Sequence, residues 1–373
     1  MVIAVNTKIT GSSDPDENNN FIVEAFTRLI SSHPGHRFVL ISDKNISESF
    51  AAFSNVTFVA TRLQKKNTVQ WYLWYNIKLP AILKKYHADI LISYGSIGCM
   101  NTKVPQCLII PNLDFLFQPR LFTKTHLLFY KRFVPRSIKK ARVIITASEF
   151  CKAAIIKQFK VSDEKIDVVY NGVNEKFSNI DYDEKEQLKT KYSEGHEYFI
   201  YTGEIASHRN LLNLLKAFSA FKKRQKSGMK LFVAGKQITE REKFYEDLRL
   251  FRFKDDVKLF ENPSLEHLTK LTAAAYAMVY PATNESFPAE PLQAMRSGVP
   301  VVATSRGVMP EILDDAALFA SGDNFKEIAV QMMTLFRDET LRQKLIDKGK
   351  LQAEKYDWNI TSDRLWKVIE EMQ

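Results

Sequence analysis

Cysteine is scarce, with three in 373 residues, Cys99, Cys107 and Cys151, an odd number that forms no C-x-x-C pair. That pattern excludes a disulfide framework and a thiolate zinc site, and it fits a reducing compartment. Glycine and proline are also few, 13 each, which rules out collagen-like and low-complexity chains. No apolar run approaches the ~18 residues of a membrane-spanning helix. The apolar segment at Met1 to Val5 lacks the basic flank of a secretory leader, so the expected location is cytoplasmic. Also missing are a Ser-His-Asp or Cys-His set, paired carboxylates and any cluster of hard oxygen ligands. Asp14 and Asp16 sit in an Asn-rich turn and read as solvated rather than as a metal site.

An apolar fraction of 45% over 373 residues predicts two soluble domains, each with its own core. Apolar strand-length runs alternate with amphipathic stretches throughout, the βαβ pattern of parallel sheets, which makes the fold class α/β. In the first half the strands fall at Met1 to Val5, His36 to Asp43, Asn55 to Thr61, Asp89 to Ser93, Gln106 to Pro111 and Arg142 to Thr146. Trp71, Leu73, Trp74, Ile77, Leu79, Ile82 and Leu83 recur at near-helical spacing and are mostly core. The second half opens with the strand Tyr198 to Thr202, followed at once by Gly203, as in a strand-to-helix turn where backbone must come close to a ligand.

Charge is uneven. Residues 1–172 carry 23 Lys and Arg against 12 Asp and Glu, a net +11, and the remainder carries 30 against 31. The basic helix from Thr125 onward interleaves Leu127, Leu128, Phe129, Phe133 and Val134 with Lys131, Arg132, Arg136, Lys139 and Lys140. It fits either a membrane-surface helix or a core helix with a basic outer face. No nucleic-acid reading motif accompanies the charge.

The most informative stretch runs from Ala277 to Ser305. It reads as a strand, a loop, a short helix with Pro291 in its first turn, a stop at Gly298 and a second buried strand at Val301 and Val302. The helix start brings unpaired N–H groups to the carboxyl end of the preceding strand, a setting that favours anions. Glu285 in the loop and Gln293 eight residues on can edge one pocket and accept hydrogen bonds from hydroxyls. A sugar joined to a phosphate presents that combination.

Glu285, an aromatic two residues later, Gln293, then Ala-Met, Gly-x-Pro and Val-Val resemble the signature of the retaining nucleotide-sugar glycosyltransferases of family 4 (group 1). The segments Tyr201 to Phe218, Val168 to Asn174 and Met309 to Phe319 resemble further parts of that family in the right order. The resemblance implies a GT-B fold: two Rossmann-like domains facing across a cleft. Residues 1–172 would form the acceptor-side domain and 173–357 the nucleotide-sugar domain, with a C-terminal helix over 358–373 packing back on the first. It implies transfer of a sugar to a glycan or lipid-linked acceptor with retention, as in polysaccharide biosynthesis, without a metal or other cofactor and without nucleic acid. Independently of the resemblance, the cysteine usage points to the cytoplasm, and the basic, aromatic-bearing first half to an anionic membrane surface, with an ordinary solvated face as the alternative.

By the same resemblance, Glu285 acts on the donor sugar and Gln293 holds the ribose. Gly203, Arg209 and Asn210 form the diphosphate loop, and the backbone around Phe287 and Ala289 meets sugar or phosphate oxygens. Arg209 stands in for the usual lysine, and its planar fork suits a diphosphate. His208 stands where an arginine is common. Four departures follow: Glu204 replaces a frequent arginine, Gln293 a carboxylate, Pro288 lacks an N–H, and Pro111 with Asn112 replace a His-Asp pair near Asp114. Glu290 is a candidate substitute for the missing carboxylate, or simply an acid favoured at a helix start. These departures motivate an alternative, a non-catalytic nucleotide- or sugar-binding subunit.

Overall fold

Alternating β and α segments build two separate parallel sheets. The computed structural model describes residues 1–7, 15–42, 48–61, 68–236, 241–283 and 285–372. Asp14 and the side chain of Asp16 lie outside the described residues. The chain divides into Met1–Gly172 with Asp357–Gln373, and Val173–Tyr356.

In the first unit β1 (Val2–Asn6), α1 (Pro15–Ser32), β2 (Arg37–Ser42) and β3 (Val56–Ala60) are followed by α2 (Thr68–Leu73), a π-helical turn at Trp74–Lys78 and α3 (Leu79–Lys85). Then come β4 (Ile90–Tyr94), β5 (Gln106–Ile110), α4 (Asp114–Phe117), α5 (Lys124–Lys140), β6 (Val143–Thr146), α6 (Glu149–Phe159) and β7 (Ile166–Val168). The strand order is β3-β2-β1-β4-β5-β6-β7. β4 and β5 are buried along their whole length, which is why their sequences run apolar instead of alternating. One face packs Ile3, Val5, Phe26 and Leu29 together, and the other packs Ala4, Leu91, Leu108 and Ile144.

The aromatic-rich α2 region divides more sharply than its helical spacing suggests. Trp71, Trp74, Leu79 and Leu83 are core, whereas Leu73 and Ile77 are exposed. Ile77 lies within the π turn, whose wider pitch rotates it off the expected apolar stripe. In α5, Phe129, Phe133 and Val134 are buried and Leu128 is 70% exposed. That helix packs on the core through one face and turns Leu128, Lys131, Arg132, Arg136, Lys139 and Lys140 outward.

In the second unit α7 (Tyr182–Ser193) precedes β8 (Tyr198–Thr202), α8 (Leu211–Gln225), β9 (Lys230–Gly235), α9 (Arg241–Arg249), β10 (Val257–Glu261) and α10 (Leu265–Ala273). β11 (Ala277–Tyr280), α11 (Ala289–Arg296), β12 (Val301–Thr304), α12 (Met309–Leu313), β13 (Ala317–Ala320), α13 (Phe325–Arg337) and α14 (Glu339–Glu354) complete it. The order β10-β9-β8-β11-β12-β13 places β8 and β11 side by side, with the order reversing between them. The crevice at the carboxyl ends of two such strands is where open α/β sheets bind ligands.

The final helix, α15 (Trp358–Glu370), belongs to the first unit. Trp358, Leu365, Val368 and Ile369 join the core that holds α1. Trp358 meets Phe21 edge-on at 5.9 Å, and Trp366 stacks on His33 at 3.6 Å. Thr361 Oγ1 donates to the Tyr170 carbonyl at 2.8 Å. Gly172 makes the approach feasible, because a Cβ there would come within 2.5 Å of the Trp358 backbone nitrogen.

Candidate functional site

The site grows from the ends of β8 and β11. β8 stops at Thr202, and Gly203 takes φ +126°, a region other residues avoid. Its N–H donates to the Ala234 carbonyl at 3.1 Å, and a Cβ on it would crowd Glu290 Oε1 at 3.2 Å. After a short 3-10 turn at Ser207–Arg209, Asn210 adopts the left-handed conformation, φ +63°, which asparagine tolerates. Its side-chain amide donates to the Pro281 and Gly322 carbonyls at 3.1 and 2.7 Å, and Asn213 donates back to it at 2.9 Å. Asn210 thus ties the start of α8 to the loops after β11 and β13.

Arg209 lies at the centre. Its guanidinium pairs with Glu285 through Nη1 and reaches Glu204 Oε2 through Nε at 3.4 Å. His208 Nε2 lies 3.3 Å from the same Glu204 oxygen. Burial works against the Arg209 charge, but Tyr280, Tyr201, Glu290 and Glu204 outweigh it and hold the pKa above the ordinary value. Burial likewise opposes the Glu204 charge, and the His208 hydrogen bond with the Arg209 charge more than offsets it, so that carboxyl stays below its usual range.

Beneath these groups Tyr280 and Tyr201 stack, 5.6 Å between centroids at 16°. Tyr201 Oη donates to the Glu204 carbonyl at 2.9 Å. Tyr280 Oη faces two carboxylates, Glu285 Oε1 at 3.3 Å and Glu290 Oε2 at 3.1 Å. Burial, reinforced by Glu290, pushes the Tyr280 pKa well above that of an ordinary phenol, so it remains a donor. By pattern alone Tyr280 is one more residue of a buried strand. The available signal was its position, the last of a buried strand immediately before the loop that carries Glu285.

Phe287 is buried and meets Tyr356 edge-on at 5.7 Å, so its ring anchors the loop. Pro288 has φ −88° and ψ 76°, and the Ala289 N–H donates to the Phe287 carbonyl at 3.1 Å, a γ-type turn. That amide is therefore engaged within the chain. Gln293 is half-buried in α11. In the first unit, Asn112 Oδ1 accepts from the Asp114 N–H at 3.4 Å, a turn that starts α4. The structure thus brings Gly203, Glu204, Arg209, Glu285 and Glu290 together, with Asn210 as their brace.

A family model described as Glycosyltransferase Family 4 matches residues 24–177, and one described as Glycosyl transferases group 1 matches residues 183–352. The chain belongs to the family 4, group 1 glycosyltransferases. Its similarity reaches an O-antigen chain mannosyltransferase, RfbU, of Salmonella typhimurium strain LT2, at 24% identity over 73% of this chain and 72% of that protein. Among solved structures it resembles WaaG, a glycosyltransferase involved in lipopolysaccharide biosynthesis, with a TM-score of 0.76 at 14% identity over 99% of both chains. HepE of Anabaena in complex with UDP-glucose gives 0.74 at 14% identity, again over 99% of both. These structural likenesses establish the glycosyltransferase fold, of GT-B type. Each of the two Rossmann-like sheets described above is one half of it.

Proposed function

We propose that this glycosyltransferase moves a hexosyl unit from a nucleoside-diphosphate sugar to a glycan or lipid-linked acceptor in polysaccharide assembly, with retention and without a divalent metal. The observation that carries this is the meeting of Arg209 and Glu285 at the carboxyl ends of β8 and β11. A guanidinium fork suits a diphosphate, and a carboxylate beside it suits sugar hydroxyls and the positive charge that builds on the ring. The mannosyl activity of RfbU and the UDP-glucose bound to HepE support this donor class. Such a reaction depends on positioning and electrostatics more than on a protein nucleophile.

A thermal-shift panel of nucleotides, UDP-glucose and nucleoside-diphosphate mannoses tests the reading, since a ligand at 100 times its Kd stabilises by ~2.7 kcal/mol. Release of nucleoside diphosphate from the best donor, unchanged by EDTA, is the expected result. Binding without any turnover, across acceptors, would favour a non-catalytic subunit.

Arg209→Ala tests the diphosphate assignment. Losing a charge-assisted hydrogen bond costs about 1.5–3 kcal/mol, so nucleoside-diphosphate affinity falls at least tenfold in titration calorimetry. The same change leaves Glu204, Glu285 and Glu290 without their shared cation, so Tm falls as well. Arg209→Lys restores the charge and recovers Tm, but not the bidentate contact. Unchanged affinity in the alanine variant removes Arg209 from the donor site.

Peripheral binding to anionic membranes completes the proposal. Residues 49–148 contain 15 Lys and Arg and only two acids, Asp89 and Asp114. Val69, Tyr72, Leu73, Ile77 and Leu128 are 40–70% exposed in that region. Each cation near an anionic surface contributes ~1 kcal/mol, screened over a Debye length. Co-sedimentation should appear with phosphatidylglycerol vesicles, fall with salt and be absent with phosphatidylcholine. Equal binding to both, or to neither, would leave an ordinary solvated face.

A further inference from the structure

We propose that Tyr280 is a positioning residue for Glu285, its single hydroxyl proton shared with Glu290 so that the carboxylate stays ionised and aimed while Arg209 engages the diphosphate. The inference rests on the reading of Glu285 as the group that acts on the donor sugar. It begins from the hydrogen bonds of one buried phenol. Tyr280 Oη has one proton and faces Glu285 Oε1 at 3.3 Å and Glu290 Oε2 at 3.1 Å. A hydroxyl cannot donate fully to two acceptors at once, so the proton divides its time between them.

The surrounding charges decide which acceptor needs it. Facing this hydroxyl are Glu285 from the loop after β11 and Glu290 from α11, with the Arg209 charge nearby and Tyr201 stacked alongside; Glu204 contacts Arg209, and His208 contacts Glu204, both from the β8–α8 turn. Three carboxylates surround one guanidinium. With no diphosphate bound, Arg209 holds Glu285, and Tyr280 can serve Glu290. Once Arg209 turns to a diphosphate, Glu285 loses its cation, and the Tyr280 O–H is still within reach of it at 3.3 Å. Donation to the ionised form favours ionisation, whereas an adjacent like charge opposes it. Glu290 therefore acts as a resting place for the Tyr280 proton and as a negative neighbour that makes that proton necessary. This gives Glu290 a part different from that of a ribose ligand.

Tyr280→Phe keeps the ring and its stacking on Tyr201 while removing the proton. In the full-length protein, with nucleoside-diphosphate release measured on the donor chosen by the panel, kcat should fall by about tenfold to a hundredfold, with donor KM held within threefold. Glu285 then takes up a proton more readily, its apparent pKa rises, and the acid limb of the kcat–pH profile moves to higher pH. Tyr280→Phe with Glu290→Gln should recover part of the rate, because the amide removes the competing charge and supplies an N–H donor. A purely packing role would show neither the pH displacement nor the rescue. If Tyr280→Phe leaves kcat and the pH profile unchanged while Glu285→Gln is impaired, the positioning role is overturned and the role of Glu285 stands. If Glu285→Gln itself has unaltered kcat, the reading on which both depend is wrong. A loss in Tyr280→Phe that raises KM alone, without a pH shift, also overturns the proposal. Circular dichroism and the nucleotide-induced thermal shift confirm that each variant is folded.

Discussion

Glu285→Gln lowers kcat by a hundredfold or more, with donor KM changing only a few-fold, whereas Gln293→Ala chiefly raises KM. The contrast follows from where charge develops. A carboxylate facing a sugar ring that gains positive character binds the transition state better than the ground state, and only such differential interactions raise kcat. Removing one preorganised electrostatic partner typically costs ~2.7–4 kcal/mol. Glutamine preserves shape, so the loss reads charge alone, and the Tyr280 hydroxyl keeps an acceptor. Ribose is unchanged by reaction, so a group that holds it contributes uniform binding. Gln293→Glu should hold or improve donor affinity, because a carboxylate accepts stronger hydrogen bonds than an amide. Steady-state kinetics on the donor identified by thermal shift check all three variants. Unaltered kcat in Glu285→Gln would shift the weight to a binding subunit.

Ending the chain after Tyr356 abolishes the folding of the first unit. The truncation removes Trp358, Leu365, Val368, Ile369 and Met372, all buried in the core shared with α1. At about 1.5–3 kcal/mol for each large apolar side chain, the loss is comparable to the roughly 5–15 kcal/mol that stabilises a typical domain. The truncated protein should lose the melting transition of the first unit, retain that of the second, and expose apolar surface to a hydrophobic dye. The single change Trp358→Ala isolates the anchor and should cost about 3–5 kcal/mol. A truncated chain with both transitions intact would show that α15 is dispensable.

The central strands were legible because they are short, mostly apolar runs bounded by polar or glycine-containing turns, and parallel sheets covered on both faces require that pattern. The motifs around Glu285 and Arg209 resemble parts of one donor site, and the structure brings the two side chains together. Tyr280 was not legible, because an aromatic at the end of a buried strand looks the same whether its hydroxyl is idle or aimed at two carboxylates. Only the neighbours distinguish these cases, and they come from α11 and the β8–α8 turn. The exposure of Ile77 was not legible for a different reason. Helical periodicity assumes an unbroken 3.6-residue pitch, and the π turn at Trp74–Lys78 has a wider one. Asn210 reads in the sequence as part of the diphosphate loop, and in the structure its amide donates to the Pro281 and Gly322 carbonyls, contacts far apart in sequence that no local pattern signals.

The chain leaves the first unit at Gly172 and returns to it at Asp357, and this excursion affects how the protein is made. Domains ordinarily fold in order of synthesis, the N-terminal one first. Here the seven-stranded sheet emerges early but waits for α15, while Val173–Tyr356 can fold as soon as it leaves the ribosome. Closing the first core also joins segments separated by an entire domain, an entropic cost that grows with the logarithm of the loop length. Prior folding of the intervening domain shortens the effective loop by bringing its two ends together, as the Val173 N–H to Tyr356 carbonyl hydrogen bond at 2.9 Å shows for the finished protein. Folding of the intervening domain thus lowers the cost of bringing α15 back to the first core. In refolding from denaturant the second unit should recover first, and the stacking of Trp366 on His33 should appear as a late fluorescence phase.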